Sequence, residues 1–308
     1  MLTFPTTIED VPDASSVSHA RFRDPARDQS DGLVNPGGRP NLPFPKLGPA
    51  CTGTKVSAVI ITYNEARNIR RTLSQLYWCD EIVIVDSFST DNTLDICKEF
   101  GCKIFFNAFE GYGVQKILAV SKAKNDWILC IDADEVLSSG LVREIRERLT
   151  SNTDYAGFMF PMNLVFLGRE FRHGKESGRY FIRLFNKRAG SYNQARVHER
   201  LELTGKSGRL QGKMLHYSYA NLRQWGEKCE RYSSLSAGEA VRKGKTKSIF
   251  AVLMALPYYF FRYYFLERNF LNGVEGFYWS VLNAHYHFLK YLKIRELHQS
   301  ATNRIPIP

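Results

Sequence analysis

The sequence predicts an α/β protein with a mostly parallel sheet and a helical extension at its C-terminal end. Short apolar runs typical of buried strands alternate with helix-length segments between residues 56 and 149. Polar residues directly follow several of these runs, and apolar and aromatic residues dominate much of the chain beyond Leu222. The 308 residues, 44% of them apolar, are enough for one large domain and an appendage.

The alternation begins after residues 1–54, which are rich in Pro, Gly, Ser, Asp and Arg and in which we expect a disordered tail. Apolar runs then predict strands, and capped segments predict helices. In chain order these are Val56–Thr62 (strand), Ala66–Tyr77 (helix), Ile82–Val85 (strand), Asp91–Phe100 (helix, capped by Ser89 or Asp91), Lys103–Phe106 (strand), Tyr112–Ala123 (helix), Trp127–Ile131 (strand) and a helix capped by Ser138 or Ser139 that ends near Leu149. This order predicts a mostly parallel sheet whose ligands bind at the carboxyl ends of the strands.

Residues 155–220 predict further strands, at Ala156–Pro161, Tyr180–Phe185 and Lys213–Tyr219. We expect them to form a mixed subdomain. A single domain would therefore cover residues 55–220, and residues 221–308 would form a separate helical region.

The helical region contains two apolar segments. Ile249–Phe261 is a run of 13 apolar or aromatic residues before Arg262, and Phe277–Leu289 is interrupted by polar residues. Spanning a bilayer takes about 20 residues. Because tyrosines, a tryptophan and basic residues accompany both segments, the pattern predicts a helical hairpin at a membrane surface. Two core helices packed on the catalytic domain are the alternative.

Charge is unevenly distributed along the chain. The net charge is +11, with about −4 in residues 1–140 and about +15 in residues 141–308. The basic half predicts an anionic partner, and without a recognisable nucleic-acid module we expect an anionic membrane surface or lipid-linked acceptor and no nucleic acid. Six cysteines without a Cys-x-x-Cys pair predict neither a zinc site nor a disulfide framework, and the start lacks the pattern of a secretory signal. We therefore expect a cytoplasmic protein.

Three carboxylates, those of Asp132, Asp134 and Glu135, follow the apolar run Trp127–Ile131. Carboxylates crowded at the end of a buried strand repel one another unless a cation neutralises them. Oxygen ligands suit Mg²⁺ or Mn²⁺, which bind through one or two carboxylates and the phosphates of a substrate. The cluster predicts a divalent metal and a phosphate-bearing ligand, and a solvated turn before a helix is the alternative.

Three segments in register resemble the family 2 glycosyltransferases, which have the GT-A fold: Val59–Glu65, Ile84–Thr93 and Ile131–Glu135. Later segments are similar to a bacterial subgroup that contains lipopolysaccharide core β-1,4-glucosyltransferases, namely Arg183–Phe185, Val197–Glu199, His216–Ser218 and the aromatic tail from Phe270 to Lys293. The resemblance covers about residues 56–296. The chain departs from the subgroup at Asn272, where an aspartate is usual.

This resemblance implies a site for a sugar nucleotide. Thr62, Tyr63 and Glu65 would flank the base and ribose, and Asp86 would accept a hydrogen bond from the base. Strand-end turns and helix caps explain the same residues without a ligand. Asp132 would hold the ribose, Asp134 would ligate the metal at the diphosphate, and Lys116 would lie near the nucleotide or be a solvated helix lysine.

Inversion at the anomeric carbon requires a carboxylate that takes the proton of the attacking acceptor hydroxyl. The resemblance implies Glu199 for this role, with Glu135 as the competitor and a surface salt bridge to Arg196 or Arg200 as the alternative. His216 would complete the metal shell or be an ordinary buried histidine. Arg183 would meet the diphosphate or an acceptor phosphate, or pair on the surface.

The sequence thus predicts an inverting, metal-dependent glycosyltransferase at the inner face of the cytoplasmic membrane. It would move a hexose from a nucleotide sugar, UDP-linked by expectation, to a lipid-anchored glycan such as lipopolysaccharide core or a capsule precursor. A polyprenyl-phosphate hexosyltransferase and a non-catalytic nucleotide-sugar-binding scaffold are the two alternatives.

Overall fold

A computed structural model of the chain describes residues 53–150, 154–194, 199–219 and 221–302. The expected tail, apart from Gly53 and Thr54, and the Val197-His198 pair of the later motif lie outside these ranges.

The first part of the described chain has the predicted alternation of strands and helices. It runs through β1 (Val56–Thr62), α1 (Ile69–Ser74), β2 (Glu81–Asp86), α2 (Thr93–Glu99), β3 (Lys103–Phe106), α3 (Tyr112–Lys122), β4 (Trp127–Cys130), β5 (Glu135–Leu137) and α4 (Ser139–Thr150). The three-residue strand β5 was not predicted. It begins within the carboxylate cluster, at Glu135, so the cluster is a bend between two strands.

The second part contributes strands to the same sheet. These are β6 (Tyr155–Phe166), β7 (Arg169–Glu170), β8 (Arg179–Asn186), β11 (Lys206–Arg209) and β12 (Met214–His216), while β9 (Gly190–Tyr192) and β10 (Leu201–Leu203) form a separate antiparallel pair. Within the described residues the large sheet has the order β3-β2-β1-β4-β8-β6-β12-β5, with β7 and β11 also paired to β6. The predicted α/β class is confirmed, with a parallel half (β3-β2-β1-β4) and a mixed half.

Strand β1 is buried on both faces because a layer of the core covers each side of the sheet. Ala58 and Ile60 belong to one apolar cluster, and Val59 and Ile61 belong to the other. A strand covered on both faces reads as a continuous apolar run, which is why the sequence signal for β1 is strong. The carboxyl end of β1 therefore emerges from the middle of the core.

The loops after β1 and β2 are joined by side-chain hydrogen bonds. The backbone N–H of Glu65 donates to the Thr93 hydroxyl (2.8 Å), and that of Ala66 donates to the Asp91 carboxylate (3.1 Å). These bonds hold residues 65 and 66 in a loop, so α1 begins three residues later than predicted. Asp91 also accepts from the backbone N–H of Thr93 (3.0 Å), at the start of α2.

The C-terminal region is helical, as predicted, with α5 (Leu222–Arg242), α6 (Ile249–Phe261) and α7 (Gly273–Thr302). A π-helical turn, Arg262–Leu266, and a 3₁₀ turn, Asn269–Asn272, connect α6 to α7. An aromatic cluster joins this region to the sheet through Phe166 and Phe171 on one side and Trp225 and Trp279 on the other. The division into two domains stays a prediction, and this shared core lies across its boundary.

Asn272, the departure from the subgroup, has a structural role. Its side-chain oxygen accepts from the backbone N–H groups of Arg172 (3.0 Å) and His173 (3.2 Å), and its amide donates to the His173 carbonyl (2.9 Å). An aspartate would lack the donor for the last bond. The asparagine thus ties the loop after β7 to the helical region.

Helix α6 is apolar but mostly uncovered. Ile249–Leu266 is, within the described residues, the one helical stretch long and apolar enough to cross a membrane by length and composition, and only 11% of it is buried. Val252 and Ala255 are its buried residues within α6. A helix that is apolar on all sides is normally buried when it belongs to the core of a soluble domain. The alternative of two ordinary core helices therefore does not describe α6.

Candidate active site

A cavity of about 430 Å³ opens at the carboxyl ends of β1 and β4, where the sequence predicts ligand binding. This volume is in the range of small-molecule sites. Its lining includes Thr62, Tyr63, Glu65, Asp132 and Asp134 among the predicted residues, together with Ile61, Ser87, Phe88, Ala108, Phe109, Tyr112, Gln115 and Ala133. The three motifs that lie far apart in sequence therefore meet in one cavity.

Asp86 organises the loop that follows β2. Its carboxylate is fully buried and accepts hydrogen bonds from the Thr62 hydroxyl (2.8 Å), the Ser89 backbone N–H (2.7 Å) and the Ser89 hydroxyl (2.6 Å). The resulting turn holds Ser87 and Phe88 at the cavity. Asp86 itself is absent from the cavity lining, and its bond to a base stays a prediction.

Lys116, on α3, is buried with 2% of its surface exposed and joins two carboxylates. Its Nζ lies 3.0 Å from Asp132 Oδ1 and 2.7 Å from Glu199 Oε1. Burial alone would lower the pKa of Lys116, but the two carboxylates outweigh it, and the pKa lies well above its ordinary value. Lys116 is therefore a permanent cation, and the alternative of a solvated lysine is wrong.

Arg183, on β8, neutralises the other side of the cluster. Its Nη2 lies 3.1 Å from Asp132 Oδ2 and also contacts Glu135 Oε1. The second oxygen of Glu135 accepts from the backbone N–H of Asp132 (2.9 Å). Burial raises the pKa of Glu135 against the opposing effect of Arg183. Arg183 thus pairs inside the protein, so the alternative of a surface pair is wrong.

Asp132 therefore faces a protein cation on each oxygen. Burial would raise its pKa, but Lys116 and Arg183 hold the pKa well below its usual range. The expectation that an added cation neutralises the whole cluster needs correction, because Lys116 and Arg183 already do so for Asp132 and Glu135. Within the described residues, Asp134 is the member of the cluster with no Lys or Arg nitrogen within 4.0 Å.

Asp134 pairs instead with His216, which β12 brings beside it. His216 Nε2 lies 3.3 Å from Asp134 Oδ2, and the Ser218 hydroxyl lies 2.9 Å from the same nitrogen. Burial would lower the pKa of His216, but the Asp134 carboxylate outweighs it and raises the pKa. The described residues contain no group of three or more His, Cys, Asp or Glu side chains arranged to hold a metal. The two predicted ligands are together, and their metal role stays a prediction.

The charge of Asp134 acts on two further ionisable groups, Glu65 and Lys228. Burial, followed by the charge of Asp134, raises the pKa of Glu65 to about 7. The Lys228 ammonium, on α5, donates to the Ser218 carbonyl (3.0 Å), and Asp134 and Glu65 are its charged neighbours. A helix from the C-terminal region thus brings a cation beside the carboxylates of the site.

Several residues at the site were not singled out from the sequence. Phe88 has positive φ (64°), is exposed and stacks on Phe106 with centroids 5.8 Å apart. A bulky residue with positive φ is rare. In the sequence, only its position between two serines in a polar loop could have indicated that Phe88 lies at the site. Tyr112, Gln115 and Lys228 could not have been singled out, because each looks like an ordinary residue of a helix.

Comparisons with known proteins found a matching family model and several similar chains. Residues 57–198 match the family model described as glycosyl transferase family 2. An uncharacterized glycosyltransferase of Rickettsia typhi is 33% identical, over 82% of this chain and 90% of its own length. The lipopolysaccharide core biosynthesis glycosyltransferase LpsC of Rhizobium meliloti is 29% identical, over 79% of this chain and 93% of its own length. A solved glucosyl-3-phosphoglycerate synthase from Mycobacterium tuberculosis, with Mg²⁺ and UDP, is 15% identical, covers 68% of this chain and 86% of its own, and has a TM-score of 0.39.

Proposed function

The chain belongs to glycosyltransferase family 2, and from this premise we propose that it is an inverting enzyme that moves a hexose from a UDP-linked donor to a lipid-anchored glycan. The observation that carries the proposal is that Asp132 and Asp134 line one cavity, with His216 beside Asp134 and with Lys116 joining Asp132 to Glu199. A lipopolysaccharide core or capsule precursor is the acceptor we favour, because LpsC is named for core biosynthesis.

The residues around Asp134 fit a divalent cation. A carboxylate oxygen and an imidazole nitrogen stand 3.3 Å apart beside the cavity, and only the former lines it. Mg²⁺ and Mn²⁺ accept one or two protein ligands and complete their shells with substrate phosphates and water. Such an ion would neutralise the charge that develops on the departing diphosphate. Asp134 and His216 are the residues that would hold it.

Glu199 is the carboxylate best suited to take the proton of the acceptor hydroxyl. It is partly exposed, whereas its competitor Glu135 is 1% exposed and has both oxygens bound inside the protein. A general base must reach the proton that it abstracts. The ammonium of Lys116, 2.7 Å from Glu199, would hold the carboxylate in place until the acceptor arrives.

The test of the function is transfer itself. We would incubate the full chain with Mn²⁺ and, separately, UDP-glucose, UDP-galactose and UDP-N-acetylglucosamine, with either a truncated lipopolysaccharide core or a polyprenyl phosphate as acceptor. Sugar attached to the core supports the proposal. Transfer only to polyprenyl phosphate would identify the other enzyme class, and tight UDP-sugar binding without turnover would identify a scaffold.

Phe88 provides a separate prediction about the donor base. We propose that its exposed ring, supported by Phe106, is the surface on which the base stacks. Base–aromatic stacking is worth about 1–3 kcal/mol, so Phe88→Ala should weaken UDP binding by about tenfold. Isothermal calorimetry measures the dissociation constant of UDP for each protein. Phe88→Tyr, which keeps the ring, should bind like the wild type, and equal binding by all three proteins would exclude the stacking role.

The exposed face of α6 suggests how the enzyme reaches a lipid-linked acceptor. Phe250 and Leu253 are 69% and 64% exposed, and neighbouring apolar side chains continue the patch onto the π-helical turn and α7. The segment before α6 carries Arg242, Lys243, Lys245 and Lys247. An apolar helix next to a basic cluster is suited to an anionic bilayer, with the helix lying in the interface. We therefore propose that the enzyme lies at the inner face of the cytoplasmic membrane.

Replacing two side chains of this face should release the protein from lipid. Charged residues are expensive in the bilayer interface, so Phe250→Glu with Leu253→Glu should reduce co-sedimentation with phosphatidylglycerol-containing liposomes by at least about tenfold. The matched control is Leu235→Glu, on α5, where the leucine is 60% exposed. Binding by wild type should also weaken with salt. Equal sedimentation of the double variant and the wild type would remove the membrane proposal.

A further inference from the structure

We propose that Leu167, at the tip of the β6–β7 hairpin, is a second contact with the lipid bilayer, separate from α6, and that it holds the active site close to the bilayer surface. This inference rests on the proposed function and adds to it the orientation of the enzyme on the membrane. The hairpin belongs to the large sheet, so the contact comes from the same sheet that carries the site.

The turn of this hairpin places a leucine where the backbone favours other residues. Leu167 and Gly168 are the two residues between the paired Phe166 and Arg169, and both have positive φ (48° and 83°). Two-residue turns with positive φ at both positions favour Asn-Gly, because Asn and Gly adopt this conformation far more readily than Leu. The conformation of the turn therefore does not explain the leucine.

Packing in the core does not explain this leucine either. Leu167 is 41% exposed and does not belong to the apolar clusters that form the described core. A residue that breaks a local rule without a gain in packing is most often found at a functional site. The exposed side chain therefore indicates a contact outside the chain.

The tip of the hairpin is held against the start of α7. The ring of Phe166 contacts Trp279 edge-on, with centroids 5.2 Å apart. Arg169 Nε lies 3.7 Å from Glu275 Oε2, and a Cβ added at Gly273 would lie 3.2 Å from Arg169 Cζ. The hairpin and the helical region therefore present Leu167 in a fixed position.

The surroundings of the tip indicate lipid as the partner. Leu271 and Val274, on either side of Gly273, are 46% and 59% exposed and belong to the apolar patch that continues from α6. The side chains of Arg169 and Arg172 are 50% and 72% exposed. Exposed apolar side chains accompanied by basic ones are suited to an anionic bilayer, as they are at α6.

Strand β6 connects the tip to the active site. Leu164 lies opposite His216 of β12 in the sheet, and Leu167 follows Leu164 by three residues. Neighbouring strands lie about 4.8 Å apart and each residue advances about 3.3 Å, so the Cα atoms of His216 and Leu167 are within about 15 Å of each other. Contact of Leu167 with the bilayer would therefore hold the His216 side of the cavity near the membrane surface, where a lipid-linked acceptor lies.

The experiment compares the full-length variants Leu167→Asn and Leu235→Asn with the wild type. Because asparagine suits positive φ, Leu167→Asn should melt at or above the wild-type temperature. Its dissociation constant for phosphatidylglycerol-containing liposomes should rise by about threefold to tenfold, because a leucine side chain no longer leaves water on binding. Leu235→Asn removes a leucine of α5 that is 60% exposed, and it should bind liposomes like the wild type.

Transfer assays test the orientation. With a truncated lipopolysaccharide core embedded in the same liposomes at subsaturating lipid, Leu167→Asn should transfer sugar at least about threefold more slowly than the wild type. With the same core freed of its lipid, the two proteins should react at equal rates. Equal losses with both acceptors would overturn the lipid contact in favour of a contact between Leu167 and the acceptor sugar.

Three other outcomes are equally informative. Equal liposome binding by Leu167→Asn and a wild type that transfers sugar would overturn the hairpin contact alone. A lipid-free dimer that Leu167→Asn separates, seen by size-exclusion chromatography, would overturn it in favour of a subunit interface. A wild type that binds liposomes but neither binds nor transfers any sugar nucleotide would overturn the proposed function, and sedimentation of the two variants would still decide the role of Leu167.

Discussion

Asp134→Asn should lower kcat by about a thousandfold, which corresponds to about 4 kcal/mol of lost transition-state stabilisation. Asp134 lines the cavity and, within the described residues, is the carboxylate of its cluster whose partner is His216 and not a Lys or Arg, so no permanent protein cation occupies the place of a metal ion. The neutral amide keeps the size of the side chain and removes its charge. Release of UDP at saturating Mn²⁺ measures the loss.

In the same variant, Mn²⁺ should no longer strengthen the binding of UDP. Wild-type protein should bind UDP more tightly with Mn²⁺ than without it, and Asp134→Asn should bind UDP equally weakly in both conditions. Asp95→Asn, an exposed aspartate paired with Lys98 on α2, is the control that should change neither quantity. Full turnover by Asp134→Asn in the presence of a chelator would contradict the metal role.

The pH dependence of metal activation has a definite sign. Because the pKa of His216 is raised by its Asp134 partner, the ring holds a proton at pH values where an ordinary histidine would begin to lose it. That proton must leave before the ring nitrogen binds a cation. The concentration of Mn²⁺ needed for half-maximal activity should therefore rise as the pH falls.

The sequence predicted the parts of the fold that depend on local pattern. Strands β1 to β4 alternate with helices, and the apolar run of each strand can be recognised in the sequence without knowledge of its partners in the sheet. Strand β5 could not be predicted, because its three residues are fixed by pairing with β12, far along the chain. The bounds of α1 were wrong for a related reason, since side chains after β2 bind the backbone at Glu65 and Ala66.

The same distinction applies to the site. The motifs identified which carboxylates gather, but their partners are remote: Arg183 lies 51 residues from Asp132, and Lys116 lies 83 residues from Glu199. A cluster of three acids therefore looked like one cation site, whereas the fold divides it into a neutralised pair and a single available carboxylate. The role of a charged residue that depends on its ion-pair partner can therefore be assigned only from the tertiary structure.

Glu199→Gln provides the sharpest test of the chemical step. Loss of a general base costs about 10²–10⁴-fold in rate, and we expect kcat to fall within this range while UDP binding and the melting temperature stay near wild type. The amide oxygen can still accept a hydrogen bond from Lys116.

The variant Glu135→Gln tests whether Glu135 or Glu199 is the base, because the two carboxylates have different partners in the structure. Glu135 is buried against Arg183, and removing one partner of a buried pair costs about 3–5 kcal/mol. Its variant should therefore melt at a lower temperature and lose donor binding and turnover together, whereas Glu199→Gln should lose turnover alone. If Glu199→Gln transfers sugar within about threefold of the wild-type rate, far above the range for a lost base, then Glu199 only anchors Lys116 and another group takes the proton.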